Sequence, residues 1–386
     1  MIWCAGALAQ VELRDDHPDR YVVVRGDTLW DISERFLRKP WLWPEIWQVN
    51  PQIENPHLIY PGDEINLVYV DGQPRLSLNR ARKLSPYPRR TSLREAIQPI
   101  NLNDIRQYLD KRTILDAAEL EGLPYVVAME ESYLAAAAGH SIYVRDLPDA
   151  QVGETYAVVR PTVEFREVPE TWPYDKSESF RPEARDWEYP AEHSISDYIA
   201  RFWTQKVVSG KYKNTRILGY EVLQTATAEV VATGDPNTLL ITSSDLEVLP
   251  GDLVIPTFTA NYDLEYFPHS PEGVPENTQV IALSNALFGV GPNEVVAINK
   301  GWEDGIQHGD VFSTYRPGQR MRDEIRYPQD DVKTFFSKER RKKANVTLPD
   351  EYTSHVMVFK AHERVSYALV MRGQKAVRIL DRLKMP

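Results

Sequence analysis

Residues 21–67 read YVVVRGDTLWDISERFLRKPWLWPEIWQVNPQIENPHLIYPGDEINL, and this stretch decides the fold at the N-terminal end of the chain. Tyr21 to Val24 is a short β-branched run that predicts a strand leading into the turn Gly26-Asp27. Thr28-Leu29-Trp30-Asp31 has the form of a capping box, a hydroxyl and a carboxylate three residues apart satisfying free amides at a helix start. Leu29, Ile32 and Phe36 then recur at helical spacing until Lys39-Pro40 stops the helix. Trp43-Pro44 opens a second short helix, with proline at its first position and Ile46, Trp47 and Val49 available to pack. Asn50-Pro51 ends it. The turn Pro61-Gly62-Asp63 leads into a closing strand in which Ile65 and Leu67 share a face. The predicted order is β-α-α-β.

The stretch resembles the LysM module, the small glycan-binding domain of cell-wall proteins. Tyr21-x-Val23, Gly26-Asp27-Thr28-Leu29-Trp30, Ile32, Asn50-Pro51, Ile53, Leu58-Ile59 and Pro61-Gly62-Asp63 carry the likeness. Leu37 to Trp47 departs from it, being longer and richer in tryptophan than the usual inter-helix segment. The resemblance implies that a polymer containing N-acetylglucosamine, here peptidoglycan, lies in a shallow groove between two loops. Those loops are Gly26, Asp27, Thr28 and Leu29 on one side and Pro56, His57, Leu58, Ile59 and Tyr60 on the other. Glycine lets the backbone approach the sugar, so that amide groups can read the acetamido substituent. Leu29 and Ile59 either meet the sugar's methyl and ring face or plug the small core. Trp41 and Trp43 form a second candidate surface, able to stack on a pyranose or to seal the core.

At 386 residues the chain has room for about two or three domains. Its net charge of −11 argues against nucleic acid, whose phosphates demand clustered cations. The basic run Lys338-Glu339-Arg340-Arg341-Lys342-Lys343 reads as a solvated loop. No apolar stretch approaches the length of a membrane span, so no integral membrane protein is expected. Ala7-Leu8-Ala9 before Gln10 resembles a signal-peptidase site, with Trp3 to Ala9 as the tail of an apolar region. No Lys or Arg precedes it, so residues 1–9 read either as the remnant of a signal peptide that has lost its front or as an ordinary ragged N-terminus. On the first reading Cys4 leaves with the leader, and the mature chain is cysteine-free and periplasmic.

The expected organisation is a multidomain α+β chain: the module at 21–70, a polar linker at 71–90, a small α/β unit at 91–135, and a β-rich, barrel-like region at 136–386. In the α/β unit Ile105, Tyr108 and Leu109 give a helix face, and Tyr125 to Met129 reads as a buried strand. The β-rich region divides into halves at about 136–260 and 279–386 through a weak internal repeat. Ile142-Tyr143-Val144-Arg145, Gly153-Glu154-Thr155-Tyr156 and Val159-Arg160 correspond to Val296-Ala297-Ile298-Asn299, Gly309-Asp310-Val311-Phe312 and Tyr315-Arg316. A polar insert follows in each half, Pro161 to Ser194 in the first, and then a hairpin pair, Leu218 to Val231 and His355 to Met371. A coincidence of common turns is the other account of this pattern.

Nearly the whole chain resembles the secretin-associated LysM proteins of type IV pili, which carry a leader, one LysM module and a C-terminal domain related to the end of a flagellar assembly protein. Outside the module the likeness rests on Lys83-Leu84-Ser85-Pro86, Leu123-Pro124-Tyr125-Val126-Val127-Ala128, Ile142-Tyr143-Val144-Arg145, Leu218-Gly219-Tyr220-Glu221 and Leu249-Pro250-Gly251-Asp252. It implies a non-catalytic tether between the outer-membrane secretin and peptidoglycan, in several copies around a ring. A single shallow groove binds weakly, and an array of grooves on flexible linkers raises the effective concentration.

The rival class is a murein hydrolase. On the signal-peptide reading no cysteine nucleophile survives maturation, the eight histidines show neither H-x-H nor HExxH, and G-x-S-x-G is missing. Glu131, in Ala128-Met129-Glu130-Glu131-Ser132-Tyr133-Leu134, mimics the Glu-Ser start of a lytic transglycosylase site. That chemistry needs a general acid in a helical cleft, and an alanine run and strands follow instead. No catalytic residue, cofactor or metal ligand is expected. A third reading keeps the binding and changes the partner, making the chain a periplasmic adaptor for a cell-wall amidase.

Overall fold

The structure, a computed structural model, describes residues 11–47, 59–70, 72–79, 105, 108–109, 111–167, 203–205, 216–257, 267–284, 286, 288–327 and 344–386. The leader remnant, the basic run, Asn50-Pro51, Ile53 and the Pro56-His57-Leu58 part of the second loop lie outside them. The N-terminal module contains strand β1 (Arg20–Val22), helix α1 (Leu29–Phe36), a 3-10 turn (Pro40–Leu42), helix α2 (Trp43–Trp47) and strand β2 (Glu64–Val70). The capping box forms: the Thr28 hydroxyl accepts from the Asp31 amide at 3.2 Å, and the Asp31 carboxylate accepts from the Thr28 amide at 3.1 Å. Leu29, Ile32 and Phe36 are buried along one face of α1.

Strand β3 (Gln73–Asn79) falls within the stretch expected to be a linker. It pairs with β2 from Val70↔Gln73 to Glu64↔Asn79, making a three-stranded sheet in the order β1-β2-β3. Leu76 is buried and Leu78 packs on the core, while the polar residues between them hid the alternation from view. Arg75 donates to the Glu45 carbonyl, tying β3 to α2.

The remaining strands are β4 (Arg112–Leu115), β5 (Tyr125–Met129), β6 (Ser141–Arg145), β7 (Thr155–Arg166), β8 (Trp203–Gln205), β9 (Ile217–Ala232), β10 (Asn237–Ser244), β11 (Leu253–Pro256), β12 (Val280–Ser284), β13 (Val295–Ile298), β14 (Val311–Arg316), β15 (Arg320–Arg322), β16 (Asn345–Thr347), β17 (Glu351–Ala361), β18 (Ser366–Val370) and β19 (Arg382–Lys384). One sheet runs β10-β6-β5-β11-β7-β9-β4, and the added pairing of β10 with β9 brings it back on itself. A second runs β19-β14-β17-β18-β13-β12-β8. Its first and sixth strands meet through the bridge Gln279↔Arg382 and the hydrogen bond from Val280 N to Asp381 O, 3.0 Å. Strand for strand, β5, β6, β7, β9, β10 and β11 are connected and paired as β12, β13, β14, β17, β18 and β19 are. β15 and β16 form a separate two-stranded ribbon.

Three expectations change. The segment 91–135 is not a separate α/β unit among the described residues, because β5 is a strand of the first ring and β4 pairs with β9 at the edge of the same sheet; short helix α3 (Ala117–Glu121) lies between them. Pro161 to Arg166 is not a surface insert but the second half of β7, with Val163 and Phe165 buried. Leu218 to Val231 is not a hairpin. It lies in one strand of 16 residues, long enough to pair with β4 and β7 in its first half and with β7 and β10 in its second.

A single turn recurs where strands begin. In Tyr60–Asp63, Gln151–Glu154, Leu249–Asp252, Gln307–Asp310 and Arg378–Asp381 the fourth residue is an acid whose carboxylate accepts from the first residue's amide. The third residue has φ between +71° and +95°, which explains glycine in four of the five turns. Two of these acids hold arginines at matching places in the rings. Arg160 on β7 binds Asp252 at 2.6 and 2.7 Å, and Arg316 on β14 stands 3.5 Å from Asp381. Burial pushes both carboxyls up from their ordinary range, and the guanidinium opposes that push.

One apolar core runs through all three bodies, from Ile32, Phe36 and Trp43 of the module to Phe165 and Leu218 of the first ring and Met357, Phe359 and Tyr367 of the second. Ile105, Tyr108 and Leu109 are helical and buried in it, as their spacing suggested. The Lys360 ammonium, buried on β17, donates to the carbonyls of Tyr108, Leu109 and Arg112 at 3.1, 3.2 and 2.5 Å. A cation at a helix C-terminus satisfies carbonyls that lack intrahelical partners. Beside it the buried Glu221 carboxylate accepts from Arg112 at 2.5 Å, from the Thr162 hydroxyl at 2.7 Å and from the Tyr367 hydroxyl of the second ring at 2.8 Å. Removing one member of a buried charge pair strands the other. Glu221→Ala is therefore expected to cost about 3–5 kcal/mol in urea unfolding, and the double replacement Arg112→Met with Glu221→Leu to recover most of it. A loss below about 1 kcal/mol for Glu221→Ala would show that the network carries no weight.

Candidate glycan-binding site

The two loops are anchored on consecutive residues of the chain leaving β1. Val23 donates to Asp63 O at 2.9 Å and accepts from Gly62 N at 2.7 Å, which fixes the Tyr60–Asp63 turn. Val24 donates to the Asp27 carboxylate at 2.8 Å and accepts from Asp27 N at 3.3 Å, which fixes the Gly26 turn. The turns therefore stand side by side, with Arg25, Gly26 and Gly62 exposed. Gly26 has φ +98°, and a Cβ there meets nothing within 4 Å, so the space above it is open while the backbone conformation suits glycine.

The side chains of the first loop are largely committed to holding it. The Asp27 carboxylate also accepts from the Tyr21 hydroxyl at 2.9 Å, and the Arg35 guanidinium lies over the Tyr21 ring at 4.5 Å. The Thr28 hydroxyl donates to Asp31 at 2.8 Å in addition to its capping bond. Leu29 and Ile59 are 2% and 0% exposed, so of the two roles open to them the core role holds. What the site offers a ligand is a short length of exposed backbone flanked by polar groups in fixed positions, a surface suited to hydrogen bonding an amide-bearing sugar. Sequence reasoning missed Asp63 and Tyr21 as positioning residues; the first was visible as the acid of the recurring glycine turn.

Trp41 and Trp43 are not available for stacking on a sugar. Both are buried, and they face the second ring. The Trp41 indole donates to the Ser270 hydroxyl at 3.1 Å and meets the His355 ring edge-on at 4.9 Å, and Trp43 lies 6.0 Å from Phe267. The tryptophan-rich segment that departs from the usual module is thus the surface by which this module docks. Glu131 sits on an exposed turn after β5 with φ +50°, accepting from the Tyr133 hydroxyl, and not in a helical cleft.

A family model described as LysM domain matches residues 21–68. The chain therefore carries a LysM domain, a binding module for peptidoglycan and related N-acetylglucosamine glycans. No curated protein matches the chain. No helix among the described residues is long and apolar enough to cross a membrane.

His355 gives the docking a pH dependence. Burial lowers its imidazole from 6.5 to about 4, so the ring is neutral where it packs between Trp41, Tyr352 and the Ser313 hydroxyl. A state in which it is exposed takes up a proton as pH falls from about 6.5 towards 4, and the packed state loses stability over that window. The expected loss at the acid end is about 3 kcal/mol for a shift of this size. Thermal unfolding across the window should show a steeper acid decline in the native protein than in His355→Gln; identical slopes would contradict it.

Proposed function

We propose that this chain is a non-catalytic peptidoglycan-binding protein of the periplasm, which tethers the outer-membrane secretin of a type IV pilus machine to the cell wall. The observation that carries the binding half is the LysM domain at 21–68, with its two turns pinned together at Val23 and Val24. The secretin half rests on the resemblance of Lys83-Leu84-Ser85-Pro86 and the other segments quoted above, several of which lie in strands of the first ring. In this reading the two rings form the body that holds the secretin, and copies arranged around its circumference multiply a weak contact.

The docked module alters how that tether works. Strand β3 takes up residues 73–79 of the supposed linker, and the module shares a core with the second ring. A load applied to the glycan passes directly into the β body instead of through a slack segment. Avidity then depends on the geometry of neighbouring copies and not on the independent search of each module.

Purified sacculi test the site. Thr28→Arg places a long side chain beside the exposed turn, and Gly26→Val forces a β-branched residue to φ +98°, at a local cost of about 1–3 kcal/mol. Both variants should lose sacculus co-sedimentation while retaining a cooperative melt. Undiminished binding by both would place the groove elsewhere. A pull-down with the chain from outer-membrane extracts tests the partner: recovery of the secretin is expected, and recovery of an amidase in its place would favour the adaptor.

A further inference from the structure

A second cleft, distinct from the groove, opens where the module meets the second ring. It measures about 640 Å³, within the usual range for small-ligand sites, and lies at a junction between folded units, where such sites concentrate. Its inner wall is aromatic: Trp30 from α1, and Tyr352 and His355 from β17. Its rim carries three arginines, each with an acid. Arg14 pairs with Asp16 at 2.8 Å, Arg38 with Asp15 at 2.8 Å, and Arg372 reaches from the second ring to Glu34 at 3.2 Å. Resting on the reading of the module as a peptidoglycan binder, we infer that this cleft holds the stem peptide attached to the bound glycan.

The chemistry of the rim selects such a ligand. Every arginine is substantially exposed, Arg372 at 66% of its side chain, and exposed ion pairs of this kind contribute about 0–1 kcal/mol each. A ligand bearing carboxylates and an amine can exchange partners with them at little cost. A carboxylate gains a two-pronged contact with a guanidinium, and the released acid receives the ammonium group. A plain oligosaccharide has neither charge. A polyanion would meet Asp15, Asp16 and Glu34. A short zwitterionic peptide satisfies both halves of the rim, and its aliphatic parts cover the Trp30–Tyr352 wall.

The two sites are joined by one helix. Helix α1 begins at the Gly26 turn and lines the cleft with Trp30 and Glu34, with Leu37 just beyond its end. From Leu29 to Glu34 the helix advances about 7.5 Å. An extended tetrapeptide spans about 13–14 Å. A stem peptide leaving a glycan seated at the helix's N-terminal end therefore reaches the cleft, and the docking of the module builds the far wall that receives it.

The test uses the full chain and two separate probes: a pentamer of N-acetylglucosamine, and the free tetrapeptide L-alanyl-γ-D-glutamyl-diaminopimelyl-D-alanine, each titrated by calorimetry. The wild type should bind both. Arg372→Glu, at an exposed site outside the groove, should weaken the tetrapeptide by about tenfold or more, the effect of one charge-assisted contact, and leave the pentamer unchanged. Arg38→Ala should weaken the tetrapeptide in the same direction. Pentamer binding without tetrapeptide binding, or tetrapeptide affinity indifferent to both variants, overturns the cleft and spares the groove. Failure of the wild type to bind the pentamer contradicts the glycan reading itself, and the cleft is then judged on the tetrapeptide alone.

Discussion

The burial of Trp41 and Trp43 between the module and the second β ring is the constraint on which the arrangement of this protein depends. Two indoles exposed on a free module would leave a large apolar face in water, and packing them against His355 and Phe267 removes it. The contact joins the small module to a core that already links the two rings. With that core continuous, the N-terminal unit becomes part of the body it was expected to swing from. The position of the candidate glycan-binding turns relative to the rings is then a property of the folded chain.

Behind this contact the β body is built from a repeated device. The same turn, with an acid closing back on the amide three residues earlier, starts β2, β7, β11, β14 and β19. At two of these starts the acid is also the anchor for an arginine from the neighbouring strand, in matching places of the two rings. Between the rings, Lys360 and Glu221 place charges in the interior, each with several hydrogen-bond partners, so the interface is specified by direction as well as by apolar area.

What could be read from the sequence divides along the range of the interactions. The capping box at Thr28 and Asp31, the face Leu29-Ile32-Phe36 and the glycine turns were legible because each is decided within a few residues. So was the strand Tyr125–Met129, through its apolar run. The long strand β9 was read as two because Gln224 and Thr225 interrupt its apolar run. β3 was read as linker because its polar residues alternate with Leu76 and Leu78 in a stretch rich in arginine and proline. The role of the tryptophans was left open because burial of Trp41 depends on Ser270 and His355, far away in the chain. At the candidate site the first loop forms the turn its sequence predicts, but Leu29 and Ile59 face inward, leaving backbone and polar groups at the surface there.

The central claim is that acetylated amino-sugar chains are held by the paired turns pinned at Val23 and Val24, on a module fixed to the β body. Hydrogen exchange of backbone amides, followed by mass spectrometry with and without an N-acetylglucosamine pentamer, reads this directly. Protection confined to peptides covering residues 24–31 and 56–63, with segments of the second ring that cover Trp41 already protected in the free protein, is the result expected. Protection appearing elsewhere, or a free protein whose Trp41 contact exchanges as fast as an open surface, would contradict the account.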